Sequence, residues 1–414
     1  TKLKIFLYVY SKLLMKKNIV IITNGSLPVP AIQGGAAEML TQTFLDHNEF
    51  HSDYNISIFT IGQKSIKSSL ISKYTMVNFV LINEKSFLYI LGRTIKFVIN
   101  KLFKNNYTNQ FLSSVLKNES ILNKADLILV SNNQFYAKHI KKKFSAPIIL
   151  HLHNDYVNND FNNQDVLLHH DKVIGVSKYI QNRVSEIAPK SCKVSYVYNG
   201  INIKKFSDNN NLKIQKEILE TYKIEKKDIV FVFTGRLQES KGIRFLVESF
   251  LELIKQYENI KLLIIGGAQY SISKQSKLIK NLKKNILNNN AEKKIFFTGY
   301  INYEEIQNFY KISHVAVLPS IETEAFGLTS IEAQASGLPV IITDSGGMEE
   351  TISNKSGFVI NRSGDINSQL IFYMKKLISD HSLRNKISGQ ALVNASKFSD
   401  ENFYNNLKFE LNSL

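Results

Sequence analysis

The chain has 414 residues, is 44% hydrophobic, and carries a formal net charge of +17 and one cysteine, Cys192. That length allows two or three domains with sizeable cores, and one cysteine excludes an intramolecular disulfide and a cysteine-rich zinc site. The basic excess favours polyanionic surfaces, yet no helix-turn-helix, zinc-finger or RNA-binding signature accompanies it, so nucleic acid is not an expected partner.

Strand-like and helix-like segments alternate along the chain, as in parallel α/β sheets. Met15-Lys16-Lys17-Asn18 looks like a natural beginning, which would make residues 1–14 an upstream extension. A strand is predicted at 18–23, followed by a Pro-containing loop. Gln33-Gly34-Gly35-Ala36 then opens a helix running to about Asp46. Further strands are predicted at 56–61, 127–130, 148–152, 172–176 and 195–198. No apolar run reaches the ~20 residues that span a bilayer. The best candidate, 87–103, is interrupted by Arg93, Lys96 and Lys101. It suits an anionic membrane surface or an ordinary helix packed on the sheet. His151 and His153 lie on one face of the strand end at 148–152. No carboxylate or cysteine is spaced to complete a metal site with them or with His169 and His170.

Asn199-Gly200-Ile201 breaks the pattern, and the Asn-rich stretch 204–212 reads as a linker. A second α/β unit is predicted from strands at 229–234, 261–265, 295–298, 315–318 and 340–343. Gly235-Arg236-Leu237 and Lys241-Gly242 follow its first strand. They place a planar donor fork and a mobile point charge at a strand's carboxyl end. Gly299-Tyr300-Ile301 follows the third strand, Ser345-Gly346-Gly347 the fifth.

The most informative run is Glu324-Ala325-Phe326-Gly327-Leu328, with Glu332 following. It reads as a loop entering a short helix. Gly327 lets a ligand approach the helix start, where free amides and the dipole favour phosphate. Two Glu residues at this spacing arise by chance about once or twice in such a chain, but Phe-Gly between them lowers that below about one in a hundred. This segment resembles the Glu-x7-Glu signature of retaining glycosyltransferases of family 4. The resemblance covers nearly all of the chain from Met15 onward, specific in the second unit and looser in the first.

The resemblance implies an α/β, GT-B fold: two Rossmann-like, doubly wound domains facing a central cleft, at 1–203 (acceptor side) and 204–397 (donor side). The terminal helix, 398–414, would pack back on the first. It implies a metal-independent retaining hexosyltransferase moving a sugar from a nucleotide-sugar, with a UDP-sugar expected, to a hydroxyl of a glycan or lipid-linked saccharide. Bacterial surface polysaccharide or glycoconjugate synthesis would be its setting, in the cytoplasm or at the inner face of the membrane. No cofactor is expected. Glu324, Arg236, Lys241 and His153 would be catalytic. Gly34, Gly35, Asn199, Gly299, Tyr300, Ile301, Ala325, Phe326, Gly327, Leu328 and Glu332 would bind substrate. Residues 63–110 match no signature, so the acceptor stays open. Two alternatives stand beside this reading: a GT-B nucleotide-sugar epimerase, and a non-enzymatic protein of anionic surfaces.

Overall fold

Short apolar runs separated by amphipathic helices suit strands buried on both faces of a parallel sheet. The computed structural model describes residues 16–62, 68–83, 89–90, 109–161, 164–208, 211–267 and 277–414. The upstream extension and nearly all of 87–103 lie outside them. The first sheet contains β1 (Lys17–Ile22), β2 (Tyr54–Gly62), β3 (Val77–Asn83), β4 (Leu127–Ser131), β5 (Ile148–Leu152), β6 (Lys172–Gly175) and β7 (Lys193–Tyr196). They pair in parallel in the order β3-β2-β1-β4-β5-β6-β7. The second contains β8 (Ile229–Thr234), β9 (Ile260–Ile265), β10 (Ile295–Gly299), β11 (Val315–Leu318), β12 (Val340–Thr343) and β13 (Gly357–Ile360). Its parallel order is β10-β9-β8-β11-β12-β13. Winding reverses between β1 and β4, and again between β8 and β11. Such switch points open a crevice at the strands' carboxyl ends.

Chain contacts divide the molecule into two units, Thr1–Val197 with Tyr404–Leu414, and Tyr198–Phe403. The division falls before Asn199-Gly200-Ile201 rather than after residue 203. The cause is local: Ile201 exchanges backbone hydrogen bonds with Phe398 and Asp400 at 2.9 Å each. A Cβ on Gly200 would sit 2.4 Å from the Ser399 carbonyl oxygen. The proposed linker is partly helical, since Ile203–Ser207 is capped by the Asn202 side chain. The helix after Gly35 runs to His51, one turn beyond expectation. Strands β3 and β13, both at sheet edges, were not expected.

The terminal helix Asp400–Asn412 begins in the second unit and ends in the first. In the first unit, Tyr404 Oη donates to Asp53 Oδ2 at 2.7 Å, and Lys408 Nζ meets the same oxygen at 2.6 Å. Farther along, Lys172, only 3% exposed, forms an ion pair with Glu410 and donates to the Ser413 hydroxyl at 2.7 Å. Ser195 Oγ donates to Glu410 Oε2 at 2.7 Å. The chain end thus clasps the starts of β6 and β7. Among the described residues, no helix is long and apolar enough to cross a membrane.

Candidate active site

The second unit gathers its functional groups where β8 and β11 diverge. After β8 the chain passes Gly235 and exposed Arg236, makes a 3-10 turn at Glu239–Lys241, and enters the helix Ile243–Leu253 through Gly242. Gly242 has φ +66°, and a Cβ there would lie 1.8 Å from the Pro319 carbonyl oxygen. Only glycine lets this turn lie flush on the loop that follows β11. The Ser240 carbonyl accepts from the Ile321 amide at 2.8 Å, stitching the same two loops. That approach brings Lys241 Nζ into an ion pair with Glu324 Oε1. Ser320 Oγ donates to the same oxygen at 2.6 Å.

Glu324 is held from a third side. Its amide donates to Ser345 at 3.3 Å, and its carbonyl accepts from Gly347 at 2.8 Å. Loops after β8, β11 and β12 therefore converge on one residue, the first two on its carboxylate and the third on its backbone. The side chains of Lys241 and Glu324 are 21% and 19% exposed, so a ligand can reach both. Gly327, at φ 140°, starts the helix Leu328–Ala335 without a side-chain cap. Its first amides form an uncapped, anion-attracting end. Ala325 and Leu328 are half-buried beside it. Phe326 is 3% exposed and its ring packs on Tyr198 and Phe398, with centroids 5.8 Å from each. Its side chain is committed to packing, so any part it takes in substrate binding is through its backbone.

Glu332 is 4% exposed and enclosed by aromatic groups. Tyr310 Oη donates to Glu332 Oε2 at 3.3 Å and lies 2.6 Å from Thr234 Oγ1. Tyr303 is a further hydrogen-bond partner. Lys205 sits over the Tyr303 ring, 3.9 Å from its centroid, and pairs with Glu304 at 2.9 Å. Burial pushes the Glu332 carboxyl up to about 7, while the tyrosines and Lys205 pull the other way. Desolvation disfavours the charged form, and here it wins.

Carboxyl ends of β8, β9 and β10 are lined by Gly235, Gly266 and Gly299, all at positive φ. A Cβ on Gly266 would lie 1.9 Å from the Gly235 carbonyl oxygen. The Gly299 carbonyl accepts from Gly266 N at 3.0 Å and is thus already paired. Tyr300, 47% exposed, and half-buried Ile301 extend beyond it. Asn199 is buried, with Oδ1 lacking a hydrogen-bond partner. Ser320, Thr234, Lys205, Tyr303, Tyr310 and Gly266 were not singled out from sequence. Only Gly266-Gly267, a glycine pair directly after an apolar strand, carried a local signal.

In the first unit, Gly34 and Gly35 follow β1 and open the helix Ala36–His51, with φ +76° and +99°. A Cβ on Gly34 would meet nothing within 4 Å. Buried Glu38 folds back onto its own amide and meets the Asn24 side chain. The helix start therefore already has a carboxyl group beside it, raised by burial above its ordinary value. His153 follows β5; Asn132 Oδ1 accepts from its amide at 3.0 Å and from Asn154 Nδ2 at 2.8 Å. Its ring lies 4.1 Å from that of His151, centroid to centroid. Both ring nitrogens of His153 are buried without a hydrogen-bond partner. Burial drives His151 down to about 4 and His153 well below its ordinary value, so both imidazoles are neutral. Among the described residues, no three His, Cys, Asp or Glu side chains are grouped to hold a metal ion.

Two Rossmann-like parallel sheets, each with its own switch point, are the architecture of the GT-B class. Residues 214–392 match the family described as glycosyl transferases group 1. YtcC of Bacillus subtilis (strain 168) is 25% identical over 71% of this chain and 67% of its own length. The capsular polysaccharide biosynthesis glycosyltransferase CapM of Staphylococcus aureus is 30% identical over 52% of this chain, which spans only 56% of CapM. HepE of Anabaena, solved in complex with UDP and glucose, superposes with a TM-score of 0.72 at 17% identity, covering 97% of this chain and 100% of its own. Residues 214–392 thus carry the glycosyl transferases group 1 pattern, and the chain has the GT-B fold.

Proposed function

We propose that this glycosyltransferase moves a hexose from a UDP-sugar to a hydroxyl of a glycan or lipid-linked saccharide, with retention at the anomeric carbon. Bacterial surface polysaccharide synthesis in the cytoplasm, at the inner face of the membrane, is the setting. The observation that carries this reading is the Lys241–Glu324–Ser320 contact beside the uncapped helix start at Gly327. HepE's binding of UDP and glucose, and CapM's part in capsule synthesis, support it by analogy.

Cleaving the donor puts negative charge on the leaving diphosphate and positive charge on the anomeric region. Lys241, exposed Arg236 and the helix-start amides stabilise the first. Glu324, released by Lys241 as the diphosphate enters, holds sugar hydroxyls near the second. Glu332 accepts the ribose hydroxyls, and the backbone at Tyr300 and Ile301 meets the base. On the first unit, Gly34, Gly35 and His153 are the residues the family reading assigns to the donor. The leaving phosphate helps take the acceptor's proton, so no separate base is assigned.

A thermal-shift screen of UDP-, GDP- and ADP-sugars tests the donor, since a bound donor raises the melting temperature by mass action. Turnover in EDTA tests the metal-free reading, and rescue of a dead enzyme by Mg²⁺ would overturn it. Nucleoside diphosphate released only when acceptor is present would separate transfer from epimerisation.

A further inference from the structure

We propose that Tyr310 is a positioning residue that fixes the Glu332 carboxylate for the nucleotide's ribose. The inference rests on the ribose role of Glu332 given above. Thr234 is the last residue of β8, at the switch point, and is 3% exposed. Its hydroxyl lies 2.6 Å from Tyr310 Oη, which in turn donates to Glu332 Oε2 at 3.3 Å. A phenol has one proton. If Tyr310 gives that proton to the carboxylate, Thr234 must give its own to Tyr310. The proton order is then Thr234 to Tyr310 to Glu332, and it starts from β8, a strand paired on both sides.

Tyr310 is fully buried, so its hydroxyl is not itself offered to a ligand. What the chain of bonds does is pin one carboxylate oxygen. Without it, Tyr303 alone would restrain the carboxylate's last torsion, which is intrinsically broad. A pinned carboxylate meets a pair of vicinal hydroxyls with less ordering cost than a rotating one. Enclosure by Tyr303 and Lys205 from other elements keeps water from competing. The donor nucleotide is thus sensed as a ribonucleotide through a tyrosine it never touches.

Binding of UDP and GDP, and of their 2′-deoxy counterparts, to the wild type, Tyr310→Phe and Thr234→Val is measured by calorimetry. Wild type should prefer the ribonucleotide by roughly tenfold, as expected for hydrogen bonds to a charged group. Tyr310→Phe should compress that preference by about threefold or more, raise the donor KM, and change kcat much less. Thr234→Val, which keeps side-chain volume, should compress it in the same direction and serves as the readout if Tyr310→Phe fails to fold. A folded Tyr310→Phe or Thr234→Val with the full wild-type preference would show that the tyrosine only packs, and would overturn the inference. A wild type indifferent to the 2′-hydroxyl, or binding none of the four, would instead overturn the ribose role of Glu332.

Discussion

Glu324 and Glu332 share a motif but live in different dielectric surroundings. Glu324 is reachable and already meets Lys241 and Ser320, so its charge is available to a ligand. Glu324→Gln should lower turnover far more than nucleotide affinity, because it weakens a contact to the sugar rather than to the nucleotide. Steady-state kinetics with calorimetry on the folded variant checks this; near-wild-type turnover would remove Glu324 from the site. Glu332 is buried and its carboxyl is raised from 4.5 to about 7. Between those values the folded state holds a proton that the unfolded chain has lost. Its contribution to stability is therefore full below about 4.5 and lost as pH rises through about 7. Glu332→Gln mimics the protonated form. Its stability relative to wild type should grow between about pH 5 and about pH 8. Melting temperatures that fall in parallel for both proteins would contradict the assignment.

At the scale of elements, the site is made by loops that touch across long sequence gaps. The Glu-Ala-Phe-Gly run was legible because motif, loop and helix start are contiguous. What holds Glu324 in place was not: Gly242 and Pro319 lie far apart in sequence, and nothing in either reveals that a turn rests on a carbonyl. The enclosure of Glu332 was invisible for the same reason, since Lys205, Tyr303 and Tyr310 come from three elements. Strands β3 and β13 escaped notice because short or alternating edge strands lack the continuous apolar run of central ones. Gly242→Ala should cost about 2–3 kcal/mol from strain and overpacking, and part Lys241 from Glu324. A lowered melting temperature with a matching loss of diphosphate affinity is expected. If binding stays intact in a destabilised variant, the turn does not position Lys241.

For the whole molecule, the two units are not equally simple in chain order. The second is one continuous stretch, whereas the first needs Tyr404–Leu414. That segment carries Glu410, the carboxylate facing the 3%-exposed Lys172. Glu410→Ala leaves a buried ammonium with only the Glu410 carbonyl and Ser413 hydroxyl. The loss should approach the ~3 kcal/mol seen when one partner of a buried pair is removed. Chemical denaturation followed on the first unit would show it, and a change under about 0.5 kcal/mol would mean the pair is solvated.

The same ion pair sets an order of events during synthesis. Lys172 and Glu410 are 238 positions apart. At about 5–20 residues per second, roughly 10–50 s pass between their translation. Through that interval the nascent first sheet holds an ammonium at the edge of its core without its carboxylate. The second unit, uninterrupted in sequence, is synthesised wholly within that interval. The half of the enzyme made first is then the half finished last.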